Sequence, residues 1–295
     1  MKKIGGILLP FAVYFVVHDL ASLLLVFLVG MGRSVFGEGY WAFVETHFAS
    51  LHGILNGLAL CMGMAAVLLL AKGELRWKNA EADRSMKTDS SPNAKGPDRE
   101  KKPGRKKDTA FAGVKYLLLI VCAVSLAVGM NLLLTLAGVT EQSENYTRIS
   151  ARQYGVAFGL GLILYGVVSP VAEEIVFRGV IYNRMKKCFR TASSVLLCGI
   201  LFGVCHGNLV QGIYGCVLGT VITMVYEWDG NLWVPVLFHG AANMSVFVLS
   251  YDTEVYRAAV TPFSCAVWLS VSVLAGVFLK KMCITRRDIT SAGIG

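Results

Sequence analysis

The 295-residue chain is 55% hydrophobic and only 16% charged, whereas an ordinary soluble domain carries about 25% charged residues. Its formal net charge of +9 does not point to nucleic acid, because most basic residues fall in short stretches between apolar runs, where they act as topology signals. Eight cysteines are scattered singly with no Cys-x-x-Cys pair, which argues against a disulfide framework or a zinc knuckle and reads as small buried packing residues.

Apolar runs of about twenty residues recur along the chain, the length that crosses a hydrocarbon core of about 30 Å at 1.5 Å per residue. Lipid offers unpaired backbone groups no partner, so such runs are helices and the fold class is all-α, a polytopic membrane protein. Spans are expected near 7–30, 50–71, 114–138, 153–171, 193–206, 208–226, 232–250 and 263–282, eight in all. The first is too long for a secretory signal core of about 7–15 residues and reads as an uncleaved span. Within it, His18 and Asp19 are expected to face other helices. The fourth is expected to continue as a helix to about Cys188. The fifth is short, and with the sixth forms a hairpin hinged at His206-Gly207-Asn208.

Charge between the runs sets an orientation. Lys2 and Lys3, the twelve Lys or Arg in 72–108, Arg184 to Arg190, and Lys280 to Arg287 all fall on one side of an eight-span chain. The other side holds only Arg33, Arg148, Arg152 and Arg257. The bias predicts both ends in the cytoplasm of a cell membrane, with Glu227-Trp228-Asp229 an acidic exception on the same side. Residues 78–108 read as a disordered, solvated basic linker. Asn145-Tyr146-Thr147 fits a glycosylation acceptor but is common by chance. The organisation is thus a two-span hairpin (1–72), the linker (73–112), a third span with its outer loop (113–150), a polar-motif core (151–250), and a last span with a tail (251–295).

Chemistry concentrates in that core. The fourth span leads into Ser169-Pro170-Val171-Ala172-Glu173-Glu174-Ile175-Val176-Phe177-Arg178. The fifth ends Phe202-Gly203-Val204-Cys205-His206, and the seventh contains His239-Gly240-Ala241-Ala242-Asn243. A mid-membrane charge costs about 2.5–3.5 kcal/mol on insertion scales, so these residues need a cavity or partners. Glu174 and Arg178 are four apart with the acid first, an ion-pair spacing. Glu173 is turned about 100° away, so one carboxylate stays paired while the other faces a cavity. His239 and Asn243 share a helix face at i, i+4. Pro170 is expected to kink the helix before the acidic pair.

One carboxylate, two imidazoles and an amide suit hydrolysis. The carboxylate takes a proton from water, and the others hold a tetrahedral oxyanion. Glu173, His206 and His239 also supply the ligand types of some catalytic zinc sites. Such residues equally serve as interhelical ties or an ion pathway. Span two repeats the pattern as His52-Gly53-Ile54-Leu55-Asn56 without an acidic pair, and there it reads as packing. No His-Glu-x-x-His and no Gly-x-Ser-x-Gly is present.

The order Glu-Glu-x-x-x-Arg, Phe-x-x-x-His and His-x-x-x-Asn over roughly 150–250 resembles the CPBP family of intramembrane proteases. That family includes the eukaryotic CAAX prenyl endopeptidase and bacterial Abi and bacteriocin-processing relatives. The resemblance implies that Glu173 activates water, Glu174 supports it with Arg178 as its ion pair, His206 and His239 complete the site, and Asn243 stabilises the oxyanion. Metal dependence, with one zinc-like ion on Glu173, His206 and His239, and a metal-free glutamate mechanism both stay open. Implied partners are membrane lipid and a membrane-tethered peptide or propeptide. A catalytically silent immunity factor, scaffold or transporter is the alternative. A transporter would show duplicated halves, whereas here the polar motifs crowd one half. With the span boundaries above, Glu173 lies near the cytoplasmic face and His206 deeper, so the two meet only if the fourth helix is displaced along the membrane normal or the fifth is tilted.

Overall fold

The computed structural model describes residues 2–75 and 105–291. The expected linker lies largely outside the described residues. Its last residues, from Arg105, are already helical.

The described chain is helical, with no strand among the described residues. In chain order the helices are α1 (Lys2–Thr46), α2 (Phe48–Leu70), α3 (Arg105–Leu136), α4 (Glu144–Tyr154), α5 (Phe158–Lys186), α6 (Thr191–Val204), α7 (Leu209–Asp229), α8 (Trp233–Tyr251), α9 (Thr253–Ala259) and α10 (Pro262–Ser291). Among the described residues, seven of these are long and apolar enough to cross a membrane. The expected fifth span is the fourteen-residue α6, about 21 Å long and short of a full crossing. The protein is therefore an all-α, multi-pass membrane protein.

Three boundaries differ from the sequence expectation. α1 does not stop at Gly30 but runs to Thr46, broken at Gly37, where φ is +78°. Beyond the break the chain folds back on itself: Arg33 pairs with Glu38 at 2.9 Å, and the Tyr40 hydroxyl donates to the Val29 carbonyl at 3.0 Å. Residues 144–154, expected as loop and span, form the separate helix α4, capped by the Ser143 hydroxyl on the Tyr146 amide. α5 consequently starts at Phe158 and continues to Lys186, which puts Glu173 near the middle of its length, roughly 20 Å from each end. Glu173 and His206 line one cavity.

α5 is not a uniform α-helix. It is π-helical over Leu164–Val168 and again over Ile175–Tyr182, with one and a half α-turns, Ser169–Glu174, between. Single π segments inside α-helices often mark functional sites. Around it, Val176, Phe177, Ile181 and Tyr182 are buried against Tyr14 of α1, Val67 of α2 and Phe202 of α6. A second apolar cluster joins α3, α7, α8 and α10 through Leu119, Ile222, Phe238 and Leu279.

Ion pairs tie the helix ends on one face of the bundle. Arg184 reaches Glu74 at 2.9 Å and the Gly6 carbonyl at 2.6 Å. The hydrogen bond from Arg184 holds the Glu74 carboxyl below its ordinary range. Lys186 pairs with Glu227 at 2.7 Å and Lys115 with Asp229 at 2.6 Å. Both carboxylates of the Glu227-Trp228-Asp229 stretch thus face lysines.

Candidate active site

Helix α5 sends its two adjacent carboxylates in different directions. Glu174 is fully buried, and its Oε1 accepts from Arg178 Nη1 at 2.7 Å and from His239 Nδ1 at 2.7 Å. Arg178, also fully buried, spends its other donors on Thr223 Oγ1 at 3.2 Å and the Gly219 carbonyl at 2.7 Å, and lies over the Phe202 ring at 4.8 Å. One guanidinium thus joins α5, α6 and α7, with its charge matched by Glu174. Such a clamp is satisfied in place and costly to break. Glu174 Oε2 has no hydrogen-bond partner among the described residues.

Glu173, its side chain 16% exposed, faces a cavity instead. Its Oε1 accepts a short hydrogen bond from the Ser169 hydroxyl one turn earlier. Its Oε2 stands 4.0 Å from His239 Nε2. Since a carboxylate only accepts, His239 donates from Nδ1 to Glu174 and presents Nε2 to Glu173 and the cavity.

His206 lies just past the end of α6, in the turn to α7 where Gly207 takes φ +69°. The expected hinge is thus a tight turn, and the Asn208 side chain accepts from the Gln211 amide at 2.9 Å to cap α7. His206 Nδ1 lies 2.8 Å from the Phe202 carbonyl oxygen. That oxygen can only accept, so the proton sits on Nδ1 and Nε2 is left for another partner. Phe202 is the spacer between the two imidazoles, with its ring centroid 5.1 Å from that of His206 and 5.5 Å from that of His239.

The first π segment explains how α8 approaches. In π geometry the Ser169 amide donates to the Leu164 carbonyl, five residues back. The next donor would be Pro170, which has no N–H. The Tyr165 carbonyl is therefore free to accept from Asn243 Nδ2, at 3.2 Å. One turn away, a Cβ on Gly240 would overlap the Gly166 carbonyl oxygen. The expected kink at Pro170 is realised as a π segment whose freed carbonyl docks α8. One amide hydrogen of Asn243 is committed there, and a second remains on the same nitrogen.

These side chains share a cavity of about 330 Å³ whose wall includes Ser169, Glu173, Phe202, His206, His239 and Asn243. The structure thus gathers Glu173, His206, His239 and Asn243 around one space, and sets Glu174 and Arg178 behind it. Reading by motif passed over two contributors. Ser169 has a detectable signal, an i−4 hydroxyl on the face of Glu173. Thr223, which holds Arg178, has none, since it lies 45 residues away. The repeat His52 and Asn56, expected as packing, also line this cavity.

Among the described residues no three His, Cys, Asp or Glu side chains converge closely enough to hold a metal ion. The arrangement of Glu173, His206 and His239 is not that of a preassembled three-ligand set.

Residues 155–245 match the family model described as type II CAAX prenyl endopeptidase Rce1-like. A Bacillus subtilis (strain 168) protein named "Putative membrane peptidase YdiL" is 26% identical over 142 residues, an alignment covering 48% of this chain and 55% of the relative. The chain therefore spans about half the length of the curated relative it matches. No solved structure matches the chain.

Proposed function

We propose that this chain, whose residues 155–245 match the family model described as type II CAAX prenyl endopeptidase Rce1-like, is an intramembrane endopeptidase of the CPBP type that hydrolyses a peptide bond of a membrane-associated peptide through a water activated by Glu173. The observation that carries this reading is the split between the two carboxylates: Glu174 is consumed by Arg178 and His239, while Glu173 faces the cavity within reach of His239 Nε2.

In this reading Glu173 removes a proton from a cavity water as the oxygen adds to the scissile carbonyl carbon. The Ser169 hydroxyl occupies Oε1 and fixes the side chain, so Oε2 is the basic atom. His206 Nε2, oriented by the bond from Nδ1 to the Phe202 carbonyl, holds the water. The tetrahedral oxyanion is met by the second amide hydrogen of Asn243 and by the protonated form of His239 at Nε2. Glu173 then returns its proton to the leaving nitrogen and the C–N bond breaks. Preorganised donors around a developing charge are the largest contribution to such reactions. Arg178 acts only through Glu174, as a positioning residue.

The loop charges support an orientation with both ends in the cytoplasm, and then α4, which lines part of the cavity, lies on the outer side. The reading is tested by release of fragments from a panel of membrane-tethered peptides by purified protein in nanodiscs. Wild type is expected to cleave, and His206→Ala and His239→Ala to lose cleavage by about 10²-fold or more. Wild-type protein that is folded and cleaves no member of the panel contradicts it, and favours a silent immunity factor or scaffold.

A further inference from the structure

Part of the cavity wall comes from helices outside the matched region, and it carries basic side chains. His52 and Asn56 come from α2, Arg152 and Gln153 from the last turn of α4, and Gln211 from the first turn of α7. Arg152 lies over the Phe48 ring at 5.7 Å, and the His52 ring lies 5.9 Å from the same ring. One aromatic side chain therefore contacts both basic groups. Among the described residues, Arg152 has no carboxylate partner, unlike the neighbouring outer cations Arg33, Arg148 and Arg257, which each have one. The carboxamides of Gln153 and Gln211 lie 3.5 Å apart, nitrogen of Gln211 to oxygen of Gln153, which leaves the Gln153 nitrogen to face another acceptor. Asn56 is oriented by His18, whose Nε2 lies 3.2 Å from its Oδ1. That contact gives the buried-edge polar residues of the first span a role in shaping the wall.

A guanidinium, an imidazole and amide donors converging on a cavity, with no acid of the protein's own between them, form a receptor for an anion. A carboxylate fits best, because a guanidinium presents paired donors in a plane that matches its two oxygens. We infer that His52 and Arg152, with Gln153 beside them, form a carboxylate-recognition subsite that holds the peptide substrate at the end of the cavity away from Glu173. The carboxylate is either the substrate's free C-terminus or an acidic side chain. This rests on the protease reading, and it gives the first two helices and α4 a part in substrate selection. Held there, the peptide runs along the cavity so that a bond some residues away meets Glu173.

The test uses three pools of degenerate decapeptides, each anchored by an N-terminal acyl chain in phosphatidylcholine nanodiscs. One pool has a free C-terminus and no Asp or Glu. A second has an amidated C-terminus and includes Asp and Glu. A third is amidated and lacks both. Binding is read with full-length Glu173→Gln protein, which leaves the peptides intact, and turnover is read with protein carrying Glu173. Arg152→Gln and His52→Gln are expected to weaken binding of one carboxylate-bearing pool by about tenfold or more, to raise KM for it with kcat nearly unchanged, and to leave the third pool unaffected. Whichever of the first two pools responds identifies the source of the carboxylate. Arg152→Lys is expected to restore part of the loss, since it keeps the charge and gives up the fork. Equal affinity of all three pools for Glu173→Gln protein, or no effect of Arg152→Gln on any of them, overturns the subsite whether or not the protein cleaves. A selective loss of binding in protein that shows no turnover upholds the subsite and removes the protease reading instead.

Discussion

The chain contains the pattern His-Gly-x-x-Asn twice, at 52–56 in α2 and at 239–243 in α8, and the two copies are used differently. In α8 the histidine is 3% exposed and faces Glu174, the glycine lets α8 touch the backbone of α5, and the asparagine takes a carbonyl freed by Pro170. In α2 the histidine is half-buried on the cavity wall, the glycine faces side chains, and the asparagine meets His18. Identical residues at identical spacing acquire their chemistry from what the facing helix brings. Only α8 is opposed by an acidic pair.

Substitutions at matched positions sharpen this contrast. The largest difference is expected at the histidines. His239→Ala removes one of the two partners of Glu174 and, among the described residues, the imidazole that faces both carboxylates, so cleavage is expected to disappear and stability to fall by about 3 kcal/mol, as when one member of a buried ionic network is deleted. His52→Ala is expected to leave the fold within about 1 kcal/mol of wild type and to act on KM alone. Thermal unfolding in detergent beside peptide release checks both, and equal loss of stability in the two variants would break the comparison.

The glycines come next. An alanine Cβ at 240 meets the Gly166 carbonyl oxygen, which belongs to backbone and cannot turn aside, so Gly240→Ala is expected to cost about 1–3 kcal/mol. At Gly53 the same Cβ meets Leu164 Cδ1 at 3.0 Å and Val156 Cγ2 at 3.3 Å. Those side-chain ends can move, and the loss is expected to stay below about 1 kcal/mol. Midpoints of unfolding measured side by side decide it. A tolerated Gly240→Ala would show that α8 does not depend on this approach.

The asparagines should differ least. Both bonds are part-buried, but Asn243→Ala leaves a backbone carbonyl inside α5 without its acceptor role filled, at a cost of about 1–3 kcal/mol, whereas Asn56→Ala gives up a side-chain bond worth about 0.5–1.5 kcal/mol. Hydrogen exchange at the α5 amides around Tyr165 is expected to rise in the first variant and not in the second.

Much of the architecture is legible in the sequence because lipid imposes a coarse rule: a run of apolar residues is a helix, and a charge inside it needs a partner. Glu174 and Arg178 follow from this and from helical spacing, and the pairing survives although Arg178 lies in a π segment. Helix ends are less legible. Gly30 and Gly32 resemble a stop, yet α1 continues until Gly37, where a positive φ turns it. Pro170 signals a broken hydrogen bond, but which carbonyl is freed depends on the π register, and which side chain takes it depends on α8, 78 residues away. The wall formed by His52 and Arg152 could not be read from periodicity, because α2 and α4 lie far apart in the chain and meet only through tertiary packing.

The central claim is that Glu173 is the base, and its most direct measurement is peptide release by Glu173→Gln in nanodiscs together with its unfolding midpoint. The glutamine has the same shape and keeps an oxygen for the Ser169 hydroxyl while losing the proton acceptor. The account predicts an unchanged midpoint and cleavage reduced by about 10²–10⁴-fold. Cleavage retained within tenfold of wild type by the folded variant would contradict it.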